Sequence, residues 1–312
     1  MPRNVTSNLW EFKTRSQNDK AQDFRELHHG KRILILPNAW DVPSARVFEN
    51  EGFPAVATSS AGLMVSLGYP DGEVMGRPEF VSAVERIARV LSVPLSVDIV
   101  AGFGKTTKEV VATVRAILKA GGIGINIEDF AHATKKLFPA EKQVENVKAI
   151  RRLGDTVGVP LVINARTDAL RFGTGNDEAK FGEAVRRATA YRDAGADCVY
   201  PMGLTEAVSI KRFVKELHFP INVMVRKGLP PVSELERLGV ARVSFGPSAS
   251  YAAMGLLKRA SKEVLEKGTY QNLVDGAIAF DELNSLATPR QDPKLPNRRR
   301  IQRSTFTRSR RA

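Results

Sequence analysis

The sequence predicts an α/β protein built as a (β/α)8 barrel of the TIM type, with extra helices at its C-terminal end. Three observations carry this. Short, almost wholly apolar runs recur between Lys31 and Pro247, each entered through Gly or Pro and left through a polar or glycine-bearing loop. Uninterrupted apolar runs of this kind fit parallel strands buried on both faces. The segments between them carry helical periodicity, and eight such alternations fill the roughly 250 residues a closed barrel takes. A doubly wound open sheet is the structural alternative, but no dinucleotide glycine fingerprint follows the first run.

The strands are expected at 33–36, 55–58, 95–98, 122–127, 161–164, 198–200, 221–225 and 241–245. Their entries read alike: "GFPAVA", "SVPLSVD", "GGIGINIE", "GVPLVINA", "GADCVY", "HFPINVMV" and "GVARVSF". Among the helices, 79–91 sets Phe80, Val84, Ile87 and Val90 on one face. Thr106 and Glu109 form a capping-box pattern before 110–120. Pro139 opens the helix to 153, Asp177 precedes one reaching 194, and 233–238 is a short helix stopped by Gly239. A first helix is expected near 22–29 after an irregular lead-in over 1–22, so the barrel with its C-terminal helices spans 23–287. Residues 248–265 and 271–286 read as two helices that cover the barrel or reach a neighbouring subunit.

Composition narrows the function. The chain of 312 residues carries a formal net charge of +13, which invites a nucleic-acid reading. The tail 288–312, however, holds nine basic residues against one acid, so most of the excess sits outside the barrel. That tail is poor in apolar residues and is expected to be a disordered basic extension, which argues against nucleic acid as the partner. No apolar run is long enough to span a bilayer, so no membrane association is expected. The lone Cys198 allows neither an internal disulfide nor a cysteine metal cage. A cytoplasmic setting is expected, with organelle targeting by the first twenty residues left open.

A barrel carries its chemistry on the loops after its strands. There the sequence supplies Asn38, Ser59, Ser60, Ala61, Asp71, Asp98, Asn126, Glu128, Asp129, Asn164, Arg166, Asp168, Asn222 and Ser244. Ring closure would bring Asp71, Asp98 and Glu128 together, a set of hard oxygen donors suited to Mg²⁺. Arg166 offers a planar fork for a carboxylate or phosphonate, and Ser59 and Ser60 a second anion contact. Together they describe a pocket for a small anionic oxo acid. His132, in the loop after strand four, is read as solvent-facing before catalytic, and His28 and His29 as surface residues of the first helix. "GFGKT" fails as a phosphate loop because its first glycine would fall at Ile99.

These residues resemble the isocitrate lyase/phosphoenolpyruvate mutase superfamily over 24–265, through "LPNAWDVPSAR", "TSSAGLMVSLGYPDGE", "SVDIVAGFG", "INIED", "INARTDAL" and "ELERLGVARVSFGP" in order. The likeness is greatest to the carboxyvinyl-carboxyphosphonate phosphorylmutase-like group. The resemblance implies an Mg²⁺-dependent lyase or mutase that makes or breaks a C–C or P–C bond of a small 2-oxo acid or phosphonate through an enolate. It also implies homo-oligomers, dimers or tetramers, with a C-terminal helix exchanged between subunits. By motif position Asp98 is the principal metal carboxylate, Asp71 and Glu128 hold metal-bound water, Arg166 holds substrate, and Ser59–Ala61 its carboxylate, with Asn222 also contacting substrate. Two departures stand out. The lyase branch has a cysteine in the loop after strand four, where this chain reads Ala131-His132-Ala133-Thr134-Lys135, which argues against isocitrate or methylisocitrate cleavage. Val100 stands where many relatives have an acid. Both departures keep an alternative open: a catalytically degenerate barrel that binds a ligand or partner.

Overall fold

The computed structural model describes residues 16–287, and the basic tail expected over 288–312 lies outside them. Eight parallel strands form a closed ring. They are β1 (Leu34–Leu36, resuming after Pro37 as Asn38–Ala39), β2 (Val56–Thr58), β3 (Leu95–Asp98), β4 (Gly124–Glu128), β5 (Val162–Thr167), β6 (Cys198–Pro201), β7 (Asn222–Met224) and β8 (Arg242–Ser244). Pairing runs β1 to β6 in order, and β8 lies between β7 and the first half of β1. The ring closes between β6 and β7 through the single bridge Val199 to Ile221. The expected strands are all present. The break in β1 at Pro37 follows from chemistry, since proline has no N–H to give the ladder.

Helices follow the strands and cover the ring. Thr106 caps Thr107–Lys119 in the expected reciprocal box with Glu109. A second box, Asp41 with Ser44, starts Val42–Asn50. The helix entered at Pro139 runs Ala140–Val157 and stops at Gly158 in the left-handed conformation (φ 69°), which glycine adopts without strain. Phe80, Val84 and Ile87 are the buried face of Arg77–Ala88, as their spacing predicts.

Two apolar clusters hold the molecule together. The larger one fills the space between the ring and its helices. The smaller joins Ala21 and Phe24 to Leu34, Leu36, Ala55, Ala57, Ile123 and Val162. It places the first helix as a plug beneath the barrel. This helix spans Gln17–Leu27, capped by Ser16 and Asp19, so it starts five residues before the expected segment and the irregular lead-in does not extend to residue 22. Gly124 makes room for the plug, because a Cβ there would lie 2.7 Å from the Phe24 ring. His28, expected at the surface, is buried beside Phe24, whose carbonyl lies 2.8 Å from its Nδ1.

After β8, Ser248–Lys267 is a single twenty-residue helix. The expected 271–286 helix is two pieces, Gln271–Val274 and Phe280–Ala287, parted at Gly276 (φ 73°). The last piece returns to its own barrel, where Arg46 Nε donates to the Leu286 carbonyl at 2.9 Å.

Candidate active site

At the carboxyl ends of the strands the ring opens into a cavity of about 230 Å³. Ser59, Ser60, Ala61, Asp71, Asp98, Arg166 and Asn222 all line it. Glu128, the remaining expected residue, stands directly behind Arg166, with its Oε2 2.7 Å from Nη1.

Asp98 ends β3 and is held from several directions. Its Oδ2 accepts from Ser60 Oγ at 2.8 Å and from the Ser60 N–H at 3.3 Å. Its Oδ1 accepts from Asn126 Nδ2 at 3.0 Å, and Asn126 Oδ1 in turn accepts from Asn164 Nδ2 at 2.8 Å. Amide side chains on β4 and β5 therefore aim the carboxylate into the cavity. Ser59 is not an open loop donor. It is the N-cap of the helix Ser60–Ser66, with its Oγ accepting from the Gly62 N–H at 3.2 Å.

Arg166 is braced by two acids. Nε and Nη2 donate to Asp168 at 2.6 and 2.9 Å while Nη1 faces Glu128. Burial alone would lower its pKa, but Glu128 and Asp168 outweigh burial and hold the guanidinium charged. Behind this pair, Asp129 accepts from the Asp168 N–H at 2.9 Å, from Tyr191 Oη at 2.7 Å and from Arg187 Nη1 at 3.0 Å. Asp129 is thus a buried strut for the Arg166 platform.

Asp71 lies on the exposed rim. Loss of surrounding water, and then the Asp98 charge, push its carboxyl above the ordinary range. Glu128 is raised as well, by burial, against the opposing pull of Arg166. His132, expected to face solvent, is half-buried against the Asp71–Gly72 turn and lies 2.5 Å from Glu128 Oε1. Asn222 is buried, its Nδ2 donating to Ser244 Oγ at 3.0 Å and its Oδ1 without a partner.

The three acids share the site without forming a direct cage. Among the described residues no three side chains of His, Cys, Asp or Glu stand close enough to ligate one ion together. The donor set still fits Mg²⁺, which keeps several waters and takes one or two carboxylates. Asp98 supplies one such carboxylate, and Asp71 lines the same cavity. Val100 sits in the left-handed region (φ 53°), costly for a β-branched residue, with its carbonyl accepting from the Glu128 N–H at 2.9 Å.

Sequence reasoning missed Tyr200, Met202 and Arg242 on the cavity wall. For Arg242 a signal existed: an arginine interrupts the apolar run "GVARVSF", and strand alternation sets it on the same face as Ser244.

A (β/α)8 ring with buried, mutually braced acids and a guanidinium at its carboxyl mouth belongs to the barrel enzymes, whose chemistry sits at that end. The comparisons with known proteins sharpen the class. Residues 24–265 match the family of phosphoenolpyruvate phosphomutase, and the chain belongs to that family, within the isocitrate lyase/phosphoenolpyruvate mutase superfamily of enzymes. It is 31% identical over 293 residues to the 2-methylisocitrate lyase of Escherichia coli, covering 90% of this chain and 97% of that one. It is 31% identical over 281 residues to the 2,3-dimethylmalate lyase of Eubacterium barkeri, covering 85% and 93%. A crystal structure from Burkholderia cenocepacia, provisionally described as a lyase/mutase, superposes with a TM-score of 0.80 at 32% identity, covering 86% and 95%.

Proposed function

We propose that the protein cleaves or rearranges a C–C or P–C bond of a small 2-oxo acid, or of the hydroxy acid that yields one, through an enolate intermediate. The observation that carries this reading is the convergence of Asp98, Asp71 and Arg166 on one cavity beside Ser60 and Asn222, with Glu128 bracing Arg166 from behind. Asp98 would hold Mg²⁺ directly, with Asp71 and Glu128 reaching it through water. When bound, the ion supplies positive charge for the oxyanion that develops as the bond breaks.

The chain's own residues divide the remaining work. Ser60 gives both its donors to Asp98, and a substrate carboxylate would compete for them, turning Ser60 toward substrate and Asp98 toward the cation. Arg166 braces Glu128 and presents positive charge to the cavity wall. Tyr200 carries the Arg166 guanidinium at 5.7 Å from its ring centre and helps exclude water. No cysteine lies in the loop after β4, which favours oxaloacetate-type, hydroxy-diacid or phosphonopyruvate chemistry over methylisocitrate cleavage.

Purified protein assayed with MgCl2 on oxaloacetate, 2,3-dimethylmalate, 2-methylisocitrate and phosphonopyruvate tests the reading. Turnover of at least one is expected, falling at least a hundredfold in Asp98→Ala. Full activity in that variant, or no turnover at all, overturns it. Val100 favours a second reading, a barrel that binds without turnover. Calorimetry with Mg²⁺ and oxalate separates the two, because tight and mutually dependent binding speaks for an intact enolate site.

A further inference from the structure

Arg242 is a buried cation that the cavity does not answer. It lies on β8 in register with Leu34 of β1 and Asn222 of β7, is 2% exposed, and lines the cavity floor. Its Nε and Nη1 have no hydrogen-bond partner, and among the described residues it forms no ion pair. Beneath it is His28, whose imidazole is pushed down to about 3 by burial and then by the Arg242 charge, so that neighbour is neutral and offers no counter-charge. The groups nearest in charge are the Cys198 thiol, the Tyr200 phenol and Asp98, and Asp98 is already bound by Ser60 and Asn126. Burial draws Arg242 down to about 10, which still leaves it charged at neutral pH.

An uncompensated guanidinium in a protein interior is costly, and proteins tolerate that cost at sites where an anion arrives. The other two arginines of the wall, Arg166 and Arg171, already face acids, Arg171 Nη1 lying 3.3 Å from Asp168 Oδ1. All three nitrogens of Arg166 are spent on Asp168 and Glu128. One unpartnered donor lies on the floor as well, the Ser96 hydroxyl.

We propose that Arg242 receives a second, distal acid group of the substrate, a carboxylate or phosphonate, making the enzyme selective for diacids over matched monoacids. This rests on the oxo-acid reading above, whose candidate substrates already carry a second acid group, and extends it by naming the residue that receives that group. The head of the substrate stays at Asp98 and Ser60, while its far end drops into the barrel toward β8.

Calorimetry in MgCl2 at pH 7.5 tests this with matched pairs: malate against 2-hydroxybutyrate, and phosphonopyruvate against 2-oxobutyrate. The wild type is expected to bind at least one diacid ten times or more tightly than its partner. In Arg242→Met that preference falls to below threefold while monoacid binding is retained, and Arg242→Lys falls between. The pair that shows the preference tells carboxylate from phosphonate. The ligand-free Met variant should also melt several degrees higher, because a buried charge has gone; if it does not fold, the Lys variant decides. A preference that survives both substitutions overturns the proposal. Monoacid binding with no preference in the wild type overturns it and leaves the oxo-acid site intact. Failure of all four ligands to bind the wild type overturns that site itself, and this proposal with it.

Discussion

At the scale of single residues, Val100 is the most exposed to test. Its left-handed backbone suits Asp or Asn, and its N–H already donates to Asp98 Oδ1 at 3.4 Å. Val100→Asp should therefore relieve backbone strain and add a carboxylate beside Asp98. Mg²⁺ affinity measured by calorimetry is expected to rise at least tenfold, and an unchanged affinity would show that position 100 does not face the ion. His28 makes a different prediction. Its folded value of about 3 is far below the ordinary 6.5, so the unfolded chain takes up the proton first as pH falls. The contribution is complete above pH 6.5 and shrinks as pH drops toward the folded value. Urea unfolding should find wild type losing about 2 kcal/mol relative to His28→Gln between pH 7 and pH 5. Asp71, Asp98, Glu128 and Arg166 were legible in sequence because polar residues after apolar runs have few structural reasons to be there. The burial of His28 was not, since nothing local says that a helix before the first strand lies under a ring.

At the scale of elements, parallel strands announce themselves, being apolar on both faces, and capping chemistry located Thr107–Lys119 correctly. Ser59–Ala61 was harder to read. A serine after a strand serves equally as a loop donor or an N-cap, and only the Ser59 Oγ to Gly62 N–H contact decides for the cap. The first helix was legible as a helix but not as a plug, because its anchors Leu34, Ala57 and Val162 lie on three different strands and Ile123 just before a fourth. Its energetic role follows from that cluster. Phe24 is fully buried in that cluster, so Phe24→Ala should cost about 3–4 kcal/mol. Denaturant titration would show this as a lowered midpoint. A loss below about 1 kcal/mol would mean that the ring holds without its plug.

At the scale of the whole molecule, the long helix after β8 is unfinished. Of the twenty residues in Ser248–Lys267, Ser250 and Ala260 are buried, whereas Tyr251, Met254, Leu257, Val264 and Leu265 are exposed and fall on one side at helical spacing. Beyond it Tyr270, Leu273, Val274 and Phe280 are exposed too. Apolar area of this extent on a single surface marks an association site. Since the same helix follows the strand that carries Arg242, and Tyr251 lines the cavity mouth, a second copy of this chain seated there would also complete the site wall. The expected state in solution is a homo-oligomer, dimer or tetramer, joined through this helix. Sedimentation velocity at micromolar protein should show it, and Met254→Glu with Leu257→Glu should shift the wild-type boundary to that of the monomer while the far-ultraviolet dichroism stays unchanged. Catalysis should fall with dissociation if the partner's helix helps close the mouth. A wild type that sediments as a monomer at every concentration would leave the apolar face unexplained by self-association and send the search for its cover to the last helix of the chain itself, which already docks on Arg46 through Leu286.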